Sequence, residues 1–383
     1  MKKNLLRTLL CISMFFLSAC GSLMPTPDNT LPPTPLVNFT PKIRVINLWS
    51  TQVGDGASRY YLRLQPAVAQ NKVFVASYSG KVTAVAANNG KRLWDTNTKV
   101  YLTSGIAANA GRLFVGTKQG TIIALRMDDG QLLWQTAIGS TILATPATAK
   151  GVVLAKTIDG TLAALAATDG HVIWRFKQTV PSLILHASSQ PQIAGNLALA
   201  GFANGRLAAL RLWSGKLAWL RTIAQPRGIT DIQQMVDIDV SPVVVKGVVY
   251  VATYQGYIVA LDLMNGREIW RRKISAYAGI AADYANIYLA DANSHVWAFD
   301  EDSGAVVWRQ TKLQGRYITG PAVLGNYVVV ADAYGYLHWL AKYNGEFAAR
   351  NSLGAGVLTA PVVYGGRVYV YTRDGTLLAF YIA

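Results

Sequence analysis

Three short stretches carry the same spacing: "DGQLLWQT" at Asp129–Thr136, "DGHVIWRF" at Asp169–Phe176 and "SGKLAWLR" at Ser214–Arg221. In each, a turn-forming pair stands four residues before a tryptophan. The spacing recurs at Gly90/Trp94, Gly130/Trp134, Gly170/Trp174, Gly215/Trp219, Gly266/Trp270 and Gly304/Trp308. A second glycine series runs alongside it, through Gly80, Gly120, Gly160, Gly205, Gly256, Gly335 and Gly375, with Ser294 in the sixth place. These eight positions are spaced 40, 40, 45, 51, 38, 41 and 40 residues apart. Periods of this size mark a propeller or a solenoid.

Within one unit, "SGIAANAG", "RLFVGT", "TIIALRM" and "QLLWQT" read as four strands around Gly120, separated by tight turns. Runs of β-branched and aromatic residues between glycine turns make an antiparallel meander. No unit holds a helical pattern of ten residues. The expected fold is therefore all-β, an eight-bladed β-propeller of four-stranded antiparallel blades. Four residues past each turn glycine stands Ala84, Ala124, Ala164, Ala209, Ala260 or Ala379, with Ala298 following Ser294. Trp339 alone departs. A recurrent methyl on one strand face implies a close neighbour that a larger side chain would overpack. Each tryptophan falls on the fourth, outer strand, where only an adjacent blade can bury an indole. The seventh unit has Ala349 at the tryptophan position, so one interface is expected to pack differently. The last unit ends after its third strand, in "GTLLAFYIA" at Gly375–Ala383. Its missing fourth strand is expected from "IRVINLWS" at Ile43–Ser50, with Trp49, so that the N-terminal strand closes the ring and leaves no open seam.

The N-terminus reads differently. Lys2, Lys3 and Arg7 precede an apolar run from Leu9 to Leu17, the form of an export signal. Leu17-Ser18-Ala19-Cys20 resembles the lipobox of bacterial lipoproteins, which implies a signal peptide over residues 1–19 and lipid on Cys20; an ordinary cleavage site beside a cysteine is the alternative. Gly21, Ser22 and Leu23 include no aspartate, which by resemblance to the lipoprotein sorting rule points to the outer membrane, with the protein facing the periplasm. Residues 20–41 hold the lipidated cysteine and a tether containing Pro25, Pro27, Pro32, Pro33, Pro35 and Pro41, expected to stay extended at about 3.1 Å per residue. Residues 42–383 are then a single propeller domain.

With Cys11 removed and Cys20 lipidated, no thiol remains for a disulfide or for catalysis. Loss of Lys2, Lys3 and Arg7 takes the net charge from +16 to +13. In an exported chain with scattered charges, that favours an anionic surface or an acidic partner over nucleic acid. His171, His186, His295 and His338 lie in separate units without metal-ligand spacing. Asp128-Asp129, Asp159 and Asp300-Glu301-Asp302 fall in turns. No nucleophile elbow or phosphate loop occurs. No cofactor, metal or catalytic residue is expected.

The D-G-x-x-x-W spacing after an Ala-Leu strand is similar to the repeat of quinoprotein propellers. Together with the lipobox, the Pro-rich tether and eight compact units, the whole chain resembles the BamB family, propeller lipoproteins of the outer-membrane β-barrel assembly machinery. The resemblance implies a non-catalytic scaffold, monomeric within a hetero-oligomeric complex. It implies docking on the periplasmic domains of the central barrel subunit, with nascent outer-membrane proteins as further partners. The two stretched spacings mark the loops that the resemblance implicates, "VPSLILHASSQP" at Val180–Pro191 and "AQPRGITDIQQMVDIDVSP" at Ala224–Pro242. Carried over, Leu183 and Leu185 are apolar anchors, and Asp237 and Asp239 are acidic contacts or braces for the first loop. His186 stands where the family commonly has arginine. Read without the resemblance, the two aspartates cap a turn, and the exposed "SLIL" run marks either a partner site or burial beneath its own loop. Two other functions fit the repeat or the charge: a quinone-dependent oxidoreductase, or a module binding periplasmic envelope polymers.

Overall fold

Four strands joined by tight turns pair most simply in chain order, and seven sheets of the computed structural model do so, while the eighth joins both ends of the chain. The structure describes residues 32–186 and 188–383; the signal segment, Cys20 and most of the tether lie outside these. Blade 1 consists of Ala67–Ala69, Lys72–Ala76, Lys81–Ala86 and Arg92–Asn97, counted from the inner strand outward. Blades 2 to 7 span residues 102–137, 147–177, 192–222, 243–274, 279–310 and 322–352. Blade 8 combines Val362–Tyr364, Arg367–Tyr371 and Thr376–Ile382 with the N-terminal strand Val45–Gln52. The ring is an eight-bladed propeller closed by its N-terminal strand, as expected. Proline directly precedes the inner strand in six blades, at Pro66, Pro146, Pro191, Pro242, Pro321 and Pro361. Proline suits the start of an edge strand, because it removes a donor the ladder would otherwise have to pair.

The core lies between blades. One cluster joins Val152, Leu154, Leu162 and Trp174 of blade 3 to Ala198, Ala208 and Leu210 of blade 4. Here the glycine–tryptophan spacing gains a second cause. Each indole donates its Nε1–H to a carbonyl of the following blade: Trp49 to Ala87, Trp94 to Met127, Trp134 to Ala167, Trp174 to Leu212, Trp219 to Leu263, Trp270 to Glu301 and Trp308 to Lys342, all within 2.7–3.2 Å. The ring then lies over the turn glycine of that blade. At Gly215, φ is +65° and an added Cβ would stand 2.6 Å from Trp174 Cγ. Trp49, Trp94, Trp134, Trp219, Trp270 and Trp308 meet Gly90, Gly130, Gly170, Gly266, Gly304 and Gly345 in the same way. So each glycine serves twice. It turns its own hairpin, and it receives the indole from the blade before. The residue two places after the tryptophan adds a second tie to the same glycine's carbonyl: Thr51, Thr96 and Thr136 by hydroxyl, Arg221 and Arg272 by guanidinium, Gln310 by amide.

The recurrent alanine also finds its reason. In strand register it stands directly opposite the tryptophan of its own blade, as Ala84 opposite Trp94 and Ala164 opposite Trp174. A bulge follows that pair in every blade and re-aims the outer strand. In blade 7 the pair is exchanged rather than lost: Trp339 stands opposite Ala349. The reason is the seam. Blade 8 has no hairpin between its third and outer strands, because the two chain ends meet there, with Ala383 N–H donating to Arg44 O. No turn glycine exists to receive an indole from position 349. Trp339 is instead fully buried on the third strand, its Nε1 bonded to Asn351 Oδ1 at 2.9 Å.

Composition carries the tether to Pro41, but residues 34–41 are part of the packed body. Thr34 bonds Gln314 O and receives Arg316 on its own carbonyl. Val37 and Phe39 pack on the core between blades 6 and 7, and Phe39 stacks on Phe347 at 5.3 Å. Arg350 donates to Val37 O.

Trp174→Ala and Gly215→Ala remove the two halves of one contact. Each is expected to cost at least about 2 kcal/mol, measured by urea unfolding. The double variant is expected to lose clearly less than the sum, since the two side chains act on each other.

Candidate functional site

Chain order puts every connection between blades on one face of the ring, together with the turns between second and third strands. Most connections are short, such as 98–101 and 275–278. Three are long: 178–191, 223–242 and 53–66. The first two are the loops expected from the stretched spacings. The third was not legible from spacing, because it joins blade 8 to blade 1 across the closure, where counting from Gly80 onward never passes.

The first two loops are zipped together side by side. Asp237 accepts from Leu185 N at 2.9 Å, Asp239 from Ser188 N at 2.6 Å, and Ser241 Oγ from Gln190 N at 2.9 Å. Ser189 Oγ donates to Val240 O. The third loop pins them. Arg63 reaches Asp239 Oδ2 at 3.2 Å and donates to Tyr277 O at 2.8 Å. Tyr61 stacks on His186, with ring centroids 4.6 Å apart.

Asp237 and Asp239 are 1% and 0% exposed. As direct partner contacts they are therefore corrected: buried carboxylates cannot touch a partner, and they brace the first loop instead. A two-residue alternation aims both inward along the same strand-like stretch. Leu183 remains 39% exposed, while Leu185 and His186 are half-buried. Burial, reinforced by Arg63, holds the His186 imidazole below its usual pKa, against the opposing pull of Asp239. It thus adds no permanent charge to the loop. The second loop contributes two exposed residues that sequence reasoning passed over, Ile229 at 94% and Ile232 at 62%. Ile229 precedes, and Ile232 lies within, a one-turn helix, Asp231–Gln234, closed by a capping box between Thr230 and Gln233.

Below the zip lies a buried ammonium. Lys156 Nζ donates to Gly201 O at 2.8 Å, and burial pulls its pKa down to about 8. The central channel holds a cavity of about 240 Å³ with a polar lining that includes Gln65, Thr145, Gln190, Gln192 and Thr359, with Arg63 also on its wall. Among the described residues, no group of three or more His, Cys, Asp or Glu is placed to hold a metal. His171 pairs with Asp169, His295 with Asp291, and His338 with Asp332, each within its own blade. The seven docking tryptophans are structural, as placed above, and Cys20 lies outside the described residues.

Burial lifts the Asp237 carboxyl to about 6 from an ordinary 3.8. The fold therefore favours its protonated form. That contribution is complete below about pH 3.8 and is lost as pH rises through 6. Asp237→Asn keeps an acceptor for Leu185 N and cannot ionise. Its urea midpoint relative to the native chain is expected to be higher at pH 7.5 than at pH 4.5; an equal difference at both pH values contradicts the assignment.

Comparison with known proteins gives a consistent match. A family model described as outer membrane protein assembly factor BamB matches residues 78–310 and 292–383. The BamB of Alkalilimnicola ehrlichii is 48% identical over 368 residues, covering 96% of this chain and 94% of that one. The BamB of Legionella pneumophila is 44% identical over 378 residues, covering 98% of each. The crystal structure of BamB from Moraxella catarrhalis superposes with a TM-score of 0.81 at 25% identity, covering 88% of this chain and all of that one. With the indole relay, the closed ring and the two long loops in place, the chain belongs to the BamB family of outer membrane protein assembly factors.

Proposed function

We propose that the chain is a non-catalytic scaffold in the outer-membrane protein assembly complex, docking on the periplasmic domains of the central barrel subunit through the face that carries its long loops. It is a component of that assembly machinery and not an enzyme, as the naming of its relatives supports. The observation that carries the docking reading is the division of labour within the loops. Buried Asp237 and Asp239 and half-buried Arg63 fix the backbone of the first loop, and Leu183 is left outside on a stiff support. A preordered apolar anchor loses little entropy on binding, which is how a small contact gains affinity. Ile229 and Ile232 extend the apolar surface on the neighbouring loop. Cys20 lipidation and the tether would hold this surface at the periplasmic side of the outer membrane, and nascent outer-membrane proteins are further candidates for the same scaffold.

A detergent pull-down of outer-membrane complexes tests this with the native chain, Leu183→Glu and Ile232→Glu. Both variants change exposed side chains and are expected to keep the native stability, measured by urea unfolding, within about 0.5 kcal/mol. Leu183→Glu is expected to cut recovery of the central barrel subunit at least tenfold, with little relief at low salt, since the lost contact is apolar. Full recovery with both variants contradicts the loop assignment.

A further inference from the structure

The loop at 53–66 does more than pin its neighbours. Its Tyr60 begins a ladder of aromatic rings that crosses blades 1 and 2 on the same face. Tyr60 lies 4.3 Å from Tyr78, centroid to centroid, and Tyr78 lies 4.8 Å from Tyr101 at an interplanar angle of 15°. A cation closes each end: Arg59 stands 5.7 Å from the Tyr60 ring, and Lys118 stands 5.9 Å from the Tyr101 ring. The five residues come from four separate segments: the blade 8-to-1 loop, a turn of blade 1, the connection 98–101 and a turn of blade 2.

Stacking leaves much of the ladder in water. Tyr60 is 39% and Tyr101 49% exposed, and Val100 beside it is 36% exposed. Neither Arg59 nor Lys118 forms an ion pair among the described residues. Lys99, exposed on the same connection, adds a third unpaired cation. Asp55, in the same loop as Arg59 and Tyr60, accepts from the hydroxyl of Ser79. An exposed aromatic row capped by free cations combines the two residue types that dominate binding hot spots, tyrosine and basic groups. Its charge selects an acidic occupant, and its open linear form suits an extended chain.

We propose that this ladder is a second docking site, for an extended segment of a protein partner that carries aromatic side chains at alternate positions with a carboxylate at each end of the same face. In such a segment every second side chain shares a face, so the aromatic rings lie on the tyrosines and the two end carboxylates reach Arg59 and Lys118. The site shares no residue with the Leu183 loop and does not depend on the barrel-subunit reading.

The test uses the full chain in detergent and a fluorescein-labelled heptapeptide with aspartate at the first and seventh positions, phenylalanine at the third and fifth and serine between them, so that all four share one face, read by anisotropy. A second peptide carries lysine in place of aspartate. Binding of the aspartate peptide is expected, at least tenfold tighter than the lysine peptide. Tyr60→Ser/Tyr101→Ser and Arg59→Glu/Lys118→Glu are each expected to weaken it at least tenfold, while Leu183→Glu leaves it unchanged. Urea midpoints confirm that the variants fold, and the single changes Tyr101→Ser and Lys118→Glu serve where a double variant does not. Equal affinity for both peptides, no binding, or unchanged binding in the ladder variants overturns the proposal. Loss of binding in Leu183→Glu places the peptide on the other loops and also overturns it.

Discussion

An indole laid flat on a glycine is the contact on which the ring depends. A four-stranded sheet of this size cannot bury both of its faces alone, and its stability must come from its neighbours. The relay supplies that at seven interfaces with the same parts: a ring that buries a large apolar area, a carbonyl that satisfies its N–H, and a turn with no Cβ to lift it away. The glycine and the tryptophan of one repeat belong to different contacts. Each repeat receives with the first and gives with the second, so the chain's period is also its assembly rule. The eighth interface shows what the rule requires. Where the hairpin is absent, the indole moves to the partner strand and the alanine moves with it.

Because the blades are held together by their sheets, the connections are free to vary. Three of them use that freedom and meet over one face of the ring. Their own order comes from buried polar groups rather than from apolar packing. One carboxylate, Asp239, gathers Ser188 and Arg63 and so joins all three segments. Such a brace is specific in position and costly to break, since removing one partner strands a buried charge. Among the described residues Asp237 retains an oxygen with no partner, and its pKa is raised, which marks it as the weaker member. The polar zip and the exposed apolar residues are thus parts of one device: the first sets the backbone, the second meets the solvent.

The fold was legible because it is periodic. Glycine, alanine and tryptophan recur at fixed offsets, and an eightfold pattern survives one exception. The exchange of Trp339 with Ala349 was visible only as two separate departures, because cross-strand pairing is not a linear property. The loop at 53–66 escaped for a related reason: it lies beyond the point where the chain's ends meet. Asp237 and Asp239 were readable as functional, yet a turn cap, an exposed contact and an internal brace call for the same residue types. Only the backbone donors of Leu185 and Ser188 tell them apart. The tether's end was misplaced because prolines dominate its composition, while Val37 and Phe39 are the residues that pack.

The most direct measurement of the central claim is hydrogen exchange at the indole N–H groups, followed by NMR with nitrogen-15 tryptophan. The account predicts that the docking indoles, Trp49 through Trp308, exchange together and only through opening of the ring, while Trp213, 54% exposed, exchanges at once. Docking indoles that exchange independently, at rates near that of Trp213, would contradict it.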